Sequence, residues 1–270
     1  MKIKVFKLKK YKLQKDHLNF YSENGYLVLR GIFKKQEVNY LDKIISYFSD
    51  EGWHNIMNPD RLEFLIAQSI SKINKIKNIH DKIKFIEKAK ETSIIYRKYL
   101  KDKRVKKLLE KITENKVVGL MTHVIFKHAG SKYAKLSWEP HQDNSYAKMK
   151  DNSYITTNLF IHKSNKKNGC LYLFPGSHKK GLLKFKKYFS YHANVNQKPG
   201  NRAKIKINKF QKVDLEIKAG DYLIMNGNLV HGSYPNLSKR NSRHLISFNY
   251  GITGNSFVSG KTAQRISVPL

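Results

Sequence analysis

Apolar residues recur at two different spacings along the chain, and the change falls near residue 115. From about residue 14 to 112 the spacing is mostly helical. In "KKQEVNYLDKIISYF", Val38, Leu41, Ile44, Ile45 and Phe48 share one face of a 3.6-residue period. "NPDRLEFLIAQSI" predicts a second helix, with Asn58 as its cap and Pro59 at its first position. "DKIKFIEKAK" and "SIIYRKYLKDKRVKKLLEKI" continue the pattern. "SENGYLVLRGIF" is the exception: Tyr26 to Leu29, between Gly25 and Gly31, predicts a short strand. From about 115 to 255 the period is two. "KVVGLMTHVIF", "SYITTNLFIH", "CLYLF", "VDLEI", "YLIM" and "RHLISFNYG" are rich in β-branched and aromatic residues, with Gly, Pro and Asn between them. Many short strands with helices segregated to one end predict an α+β fold. A double-stranded β-helix (a jelly-roll, cupin-like core) with packed N-terminal helices accommodates all of them. No Pro/Gly/Ser-rich linker or internal repeat divides the sequence, so residues 1–270 are expected to form a single domain.

Composition narrows the class. Forty per cent of the residues are hydrophobic, enough for a sizeable core. Cys170 is the one cysteine, which excludes an intrachain disulfide and a cysteine-built zinc site. This usage fits a reducing compartment, and a cytoplasmic location is expected. The basic start, "MKIKVFKLKKYKLQK", is not followed by an apolar stretch, so no signal peptide is expected. No apolar run is long enough for a membrane span.

The formal net charge of +33 raises the question of nucleic acid. The basic residues divide into 45 Lys and 8 Arg. Arginine's planar fork is the better reader of phosphates and bases, and the lysines are spread over the whole chain. A solvated, lysine-biased surface is the expectation, with no specific nucleic-acid partner. A nucleic-acid-binding protein, or an oxygenase acting on nucleic acid, is the alternative. A second alternative is a jelly-roll binding module without turnover. The sequence leaves the oligomeric state open.

The candidate chemistry begins at "EPHQDNSYAKM". Composition alone would give about 0.4 His-x-Asp pairs in such a chain, so the pair by itself carries no weight. In an extended strand, however, residues i and i+2 face one side, and His141 and Asp143 would then address one ion. An imidazole and a carboxylate suit Fe(II) or a similar divalent metal, and one further histidine would complete a facial triad. His17, His54 and His80 fall in the helical half, and His178 and His192 in polar loops. His231 follows the apolar run in "YLIMNGNLVHGSYPN" and precedes Gly232 and Ser233, which places it at a strand end. Twelve residues later, Arg243 shares a strand face with Leu245, Ser247 and Asn249. An interior arginine requires an anionic partner, and a ligand carboxylate would serve. Arg240, in a polar turn, reads as a surface residue.

Taken together, "SENGYLVLRGIF", "SWEPHQDNSY", "NGCLYLFPGSHKKG" and "KAGDYLIMNGNLVHGSYPNLSKRNSRHLISFNYG" resemble the phytanoyl-CoA dioxygenase family of Fe(II)- and 2-oxoglutarate-dependent oxygenases. The resemblance covers roughly residues 20 to 50 and 120 to 251. It implies a double-stranded β-helix in which His141, Asp143 and His231 are the catalytic metal ligands for Fe(II). It implies that Arg243, assisted by Ser233, holds the distal carboxylate of 2-oxoglutarate, and that His123 and Thr157 touch this co-substrate. O2 would take a remaining metal position, and hydroxylation of a C–H bond would release succinate and CO2. Halogenating relatives have a small residue where Asp143 stands, so Asp143 implies hydroxylation. The interval from His231 to Arg243 is one residue longer than the family pattern, which makes Arg240 a rival for the co-substrate role. Trp138 and Tyr146 are the candidate substrate-binding residues. The expected substrate is a small molecule, and the positive charge favours an anionic one.

Overall fold

The computed structural model describes residues 3–8, 10–50, 52–53, 55–188, 200–260 and 263–270; His54 and His192 lie outside them. The first part of the chain alternates short strands with helices. These are β1 (Val5–Lys7), α1 (Lys15–Asn24), β2 (Tyr26–Arg30), α2 (Lys35–Asp50), β3 (Asn55–Met57), α3 (Leu62–Ile73), α4 (Ile79–Leu100) and α5 (Lys103–Thr113). The second part is almost all strand: β4 (Val117–Lys127), β5 (Trp138–His141), the one-turn α6 (Asn144–Ala147), β6 (Tyr154–Phe160), β7 (Leu171–Leu173), β8 (Phe185–Tyr188) and β9 (Gly200–Ala203). It closes with β10 (Val213–Asp214), β11 (Tyr222–Asn226), β12 (His231–Ser233), β13 (Arg243–Ile252) and β14 (Val268–Pro269).

The strands form a large sheet and a small one. The large sheet runs β1-β2-β11-β6-β13-β4-β14, with β3 also paired to β4; apart from parallel β1–β2, its pairs are antiparallel. The small sheet runs β10-β7-β12-β5, all antiparallel. β8 and β9 make a separate hairpin.

Alternation along the large sheet gives it two different faces. Its outer face, with Leu29, Val124, Ile155, Leu159, Ile246 and Phe248, packs in one apolar cluster with the helices. Val38, Leu41, Ile44, Ile45 and Phe48 of α2 are all buried there, as their spacing predicts, each contributing about 1.5–3 kcal/mol relative to exposure. Its inner face sends Val28, Phe160, Leu223, Met225 and Leu245 towards Leu171 and Leu173 of the small sheet. The jelly-roll interior is therefore apolar at one end, and the inward polar positions of β4, β6 and β13 gather at the other.

Two turn motifs serve this frame. Asp221, in "AGD", is buried, accepts from Arg30 Nε and Nη2 at 2.6 and 2.7 Å, and ties the start of β11 to β2. Ser177, in "PGSH", accepts from the backbone N–H of Val230, immediately before His231. Its neighbour His178 lies so close to Gly25 that a Cβ there would come within 2.5 Å of the ring, which demands glycine at that crossing.

Two predicted elements differ. The helix expected from Asn58 and Pro59 begins instead at Leu62. Asn58 is buried with a positive φ of 49°, its N–H donates to the Thr122 carbonyl, and its side chain donates to the Ala263 carbonyl. Those tertiary bonds hold it in a turn rather than a cap. "VDLEI" contributes only the two-residue β10. None of the helices of the described residues is long and apolar enough to cross a membrane.

Candidate metal and co-substrate site

His141 and His231 meet across the small sheet, as cross-strand partners on β5 and β12 with ring centroids 4.4 Å apart. His231 opens β12 rather than ending β11, because the chain turns at Asn226–Leu229 to pass from the large sheet to the small one. Asp143 is not on the strand. Its backbone is helical (φ −63°, ψ −34°) at the entry to α6, so the shared-face argument from strand alternation does not apply. A turn brings the carboxylate back to the imidazoles instead. Gln142 fixes that turn by donating to the carbonyls of Asn228 and Gly181 and accepting from the N–H of Leu183. Asn144 fixes its far side through Met149 and Asn228. Gln142 and Asn144 of the motif thus position the Asp143 carboxylate between them.

Asp143 Oδ1 lies 3.5 Å from His141 Nε2 and 3.6 Å from His231 Nε2. A ring nitrogen of each histidine and a carboxylate oxygen all fall within 4.8 Å of one another. His141 Nδ1 is 2.7 Å from the Glu139 carbonyl, and His231 Nδ1 is 3.0 Å from the Leu229 carbonyl. A carbonyl only accepts, so both Nδ1 atoms carry a proton, and Nε2 of each ring is turned towards the carboxylate. Burial pushes the His231 pKa down to about 4, against the opposing pull of Asp143, and keeps the ring neutral. Burial would raise the Asp143 pKa, but His231, His141 and the Thr156 hydroxyl outweigh it and hold the carboxyl below its usual range. Two imidazole nitrogens and a carboxylate oxygen on one side of a small space make a donor set for a divalent metal.

The far end of the site belongs to β13. Arg243 is 1% exposed; its Nε donates to the Gly169 carbonyl at 3.0 Å, and its Nη1 has no partner among the described residues. Burial pushes its pKa down to about 10, with Cys170 and Tyr133 opposing. Neither of those is an anion at neutral pH; the Cys170 thiol is itself pushed up to about 12 by burial. Its cross-strand neighbour is the buried Lys127, whose amino group donates to the carbonyls of Leu136 and Tyr234 and whose pKa is pushed well below the ordinary lysine value by burial and by Arg243. Arg240 lies outside β13 in an exposed turn whose N–H donates to Ser238 Oγ, so the extra residue between His231 and Arg243 is absorbed before the strand. Ser233 Oγ and His123 Nε2 are likewise buried without a partner. Burial pushes the His123 pKa down to about 4, with Asp143 opposing. A guanidinium nitrogen on β13, a hydroxyl on β12 and an imidazole nitrogen on β4 are thus each buried with no partner among the described residues.

Thr157 faces the other way. Its hydroxyl donates to the Phe248 carbonyl and accepts from Tyr222 on the outer side of the sheet. One residue back, Thr156 faces the site and donates to Asp143 Oδ2 at 2.7 Å. Strand alternation over "YITTNLF" carries this distinction but does not say which threonine faces inward. Gly169, in "NGCLYLFPGSHKKG", has a role that the sequence does not show. Its φ is +83°, and a Cβ would come within 2.9 Å of both Lys127 Cδ and the Tyr234 carbonyl, so only glycine can bring its carbonyl to Arg243. Trp138 and Tyr146 flank His141, with ring centroids at 6.0 and 6.5 Å. A cavity of about 470 Å³ lies elsewhere, lined by Pro140, Tyr172, Phe210 and Lys212 among others, and meets the site only at Ser233.

The fold is that of the jelly-roll oxygenases. EctD from S. alaskensis, crystallised with 2-oxoglutarate and 5-hydroxyectoine, superposes with a TM-score of 0.65 at 14% identity, covering 96% of this chain and 86% of that one. SnoK, a non-heme alpha-ketoglutarate-dependent carbocyclase from nogalamycin biosynthesis, gives 0.63 at 14% identity, covering 92% and 88%. The family model for phytanoyl-CoA dioxygenase (PhyH) matches residues 21–245, and the chain belongs to that family. Phytanoyl-CoA dioxygenase 1 of Oryza sativa subsp. japonica is 28% identical over 258 residues, 87% of this chain and 88% of its own length. The protein is accordingly a 2-oxoglutarate-dependent dioxygenase, with Fe(II) as metal and O2 and 2-oxoglutarate as co-substrates.

Proposed function

We propose that this dioxygenase hydroxylates an unactivated C–H bond of a small, anionic metabolite, releasing succinate and CO2, and that residues 1–270 act as one oxygenase domain. The observation that carries the reading is a division of unsatisfied groups. Two imidazole nitrogens and a carboxylate oxygen converge within 4.8 Å of one another, while Arg243 Nη1 and Ser233 Oγ are buried with no partner among the described residues. His141, Asp143 and His231 would hold the iron, which when bound supplies the activation of O2 coupled to decarboxylation of 2-oxoglutarate.

The chain's own groups do the rest. The Glu139 and Leu229 carbonyls keep the Nδ1 protons in place and so aim both histidine lone pairs inward. Thr156 fixes the rotation of the Asp143 carboxylate and leaves Oδ1 to the metal. Arg243 and Ser233 bind the distal carboxylate, and the Gly169 carbonyl sets the plane of the guanidinium. Neutral His123 lies beside Asp143 and has one ring nitrogen free for the co-substrate. Trp138 and Tyr146, against His141, would line the substrate side, and the Arg202–Glu139 ion pair sits at its edge. The excess of positive charge steers anionic metabolites towards the protein.

An anaerobic titration tests this. Adding 2-oxoglutarate to the Fe(II)-loaded protein should produce a charge-transfer absorption band at one iron per site, and succinate release should then rise with one member of a panel of small anionic metabolites. Absence of the band would sink the assignment of the site.

A further inference from the structure

A second His–Asp–His cluster lies on the opposite face of the large sheet. Asp42 comes from α2, His162 from just beyond β6, and His244 from β13, one residue after Arg243. A ring nitrogen of each histidine and an Asp42 oxygen lie within 4.8 Å of one another. His162 Nδ1 accepts from the backbone N–H of His244 at 3.4 Å, which turns His162 Nε2 towards Asp42 Oδ1 at 3.1 Å. The histidine rings are 4.5 Å apart at 37°. His244 is 3% exposed; its Nε2 lies 3.4 Å from Ser49 Oγ, and its Nδ1 has no partner among the described residues. His128 stacks on His244 at 6.1 Å and contacts the same Ser49 at 3.0 Å. Ser46 donates to Asp42 at 3.4 Å.

A hydrogen-bonded His–Asp pair would explain His162 and Asp42. It does not explain a second imidazole, that of His244, buried against them with a ring nitrogen that has no partner among the described residues. Burying that nitrogen beside two other histidines costs free energy that a cation shared with Asp42 would offset.

We infer that Asp42, His162 and His244 form a second divalent transition-metal site, of the zinc type, that clamps α2 onto the back of β13. Two imidazoles and one carboxylate are a borderline donor set, suited to Zn(II), Co(II) or Ni(II) and too nitrogen-rich for Mg(II) or Ca(II). The Asp42 and His162 side chains are 37% and 28% exposed, so an ion can enter from solvent and keep water in its open positions. Binding releases the His162 Nε2 proton to solvent and replaces it with the metal. The backbone N–H of His244 stays on Nδ1 and keeps the ring oriented. The bound ion would tie three separate segments together directly behind the strand that carries Arg243.

The site stands apart from the iron site, and the test separates them. The probe is Zn(II), measured as tightly bound metal after gel filtration, with Co(II) absorption as a second readout. The double variant His141→Ala/Asp143→Ala removes the interior ligands and should retain one Zn(II) per chain, with a raised Tm on zinc addition. Adding Asp42→Asn or His162→Ala, both at part-exposed positions that should fold, should remove that ion and the Tm shift. Co(II) in the double variant should give the intense visible bands of a low-coordinate nitrogen–oxygen site, lost in the triple variants. The proposal is overturned if the folded double variant binds no zinc, or binds one ion that Asp42→Asn and His162→Ala leave in place. If wild type and double variant bind the same single ion, the interior site fails while this one stands.

Discussion

The two sheets divide the work of the interior unequally. The small sheet is short and irregular, yet it carries His141 and His231, with Asp143 in the turn that leaves it. The large sheet is long, buried on both faces, and carries Arg243, His123 and Thr156. Metal ligands need orientation, which nearby carbonyls such as those of Glu139 and Leu229 supply over two residues of chain. A buried guanidinium needs something different: a frame stiff enough to hold an unpaired cation out of water. β13, paired on both sides by β6 and β4 and backed by the helices, is such a frame. Local structure can aim a ligand, whereas a desolvated charge requires the whole fold.

The sharpest test of this division removes one group from each side. Asp143→Ala should fold with an unchanged circular dichroism spectrum, lose the charge-transfer band and abolish 2-oxoglutarate turnover, because it takes the anionic ligand away. A variant that kept turnover would break the comparison. On the large-sheet side the damage should be confined to co-substrate binding. Arg243→Ala should raise the KM for 2-oxoglutarate by roughly tenfold or more, and Arg240→Ala by less than about threefold, at 1.36 kcal/mol per decade. Arg243→Lys should rescue in part, since an ammonium lacks the planar fork. Steady-state kinetics under saturating iron decide it; a sensitive Arg240 would mean that the turn, not the strand, holds the carboxylate.

How much of this division was legible follows from period and motif. The two-residue period of "RHLISFNYG" put Arg243 inward with Leu245, Ser247 and Asn249, and β13 has that alternation. The helical stripe of α2 was equally plain. The motif points to Asp143, but strand alternation is not what places it: its backbone turns into α6, and no local signal distinguishes a strand from a turn after a short β5. The resemblance points to Thr157, whereas the adjacent Thr156 faces Asp143, because position within a family pattern does not fix the register of a strand to a single residue. Gly169 and the Asp42–His162–His244 cluster depend on segments far apart in sequence, and no window of the chain contains them.

Smaller effects come from titration and from charge. The buried imidazole of His123 has a folded value of about 4 against 6.5 for a free histidine, so the unfolded chain binds the extra proton between those values. Its contribution to stability is complete above pH 6.5 and is lost as the pH falls towards 4. Urea denaturation of the metal-free protein should show a loss of up to about 3 kcal/mol over that window from this one group, and His123→Gln should flatten the slope. A slope unchanged by the substitution would show that the large-sheet side holds no neutral imidazole. Smallest of all, binding to duplex or single-stranded DNA should be weak and salt-sensitive, in the range of about 10⁻⁴ to 10⁻⁶ M at physiological salt. A salt-resistant, sequence-selective complex in a gel shift would instead make nucleic acid the substrate side of the comparison.

The turn before β13 has a consequence for what lengths the chain can tolerate. A residue added within 234–242 would leave Arg243 entering the strand facing inward, because the turn lies outside β13. The strand itself has a parity. One residue inserted between Arg243 and Asn249 would reverse every side chain before it, sending the guanidinium out among the helices and the His244 imidazole into the interior. Loop length on this side of the molecule is free to drift by single residues, while strand length can change only by twos.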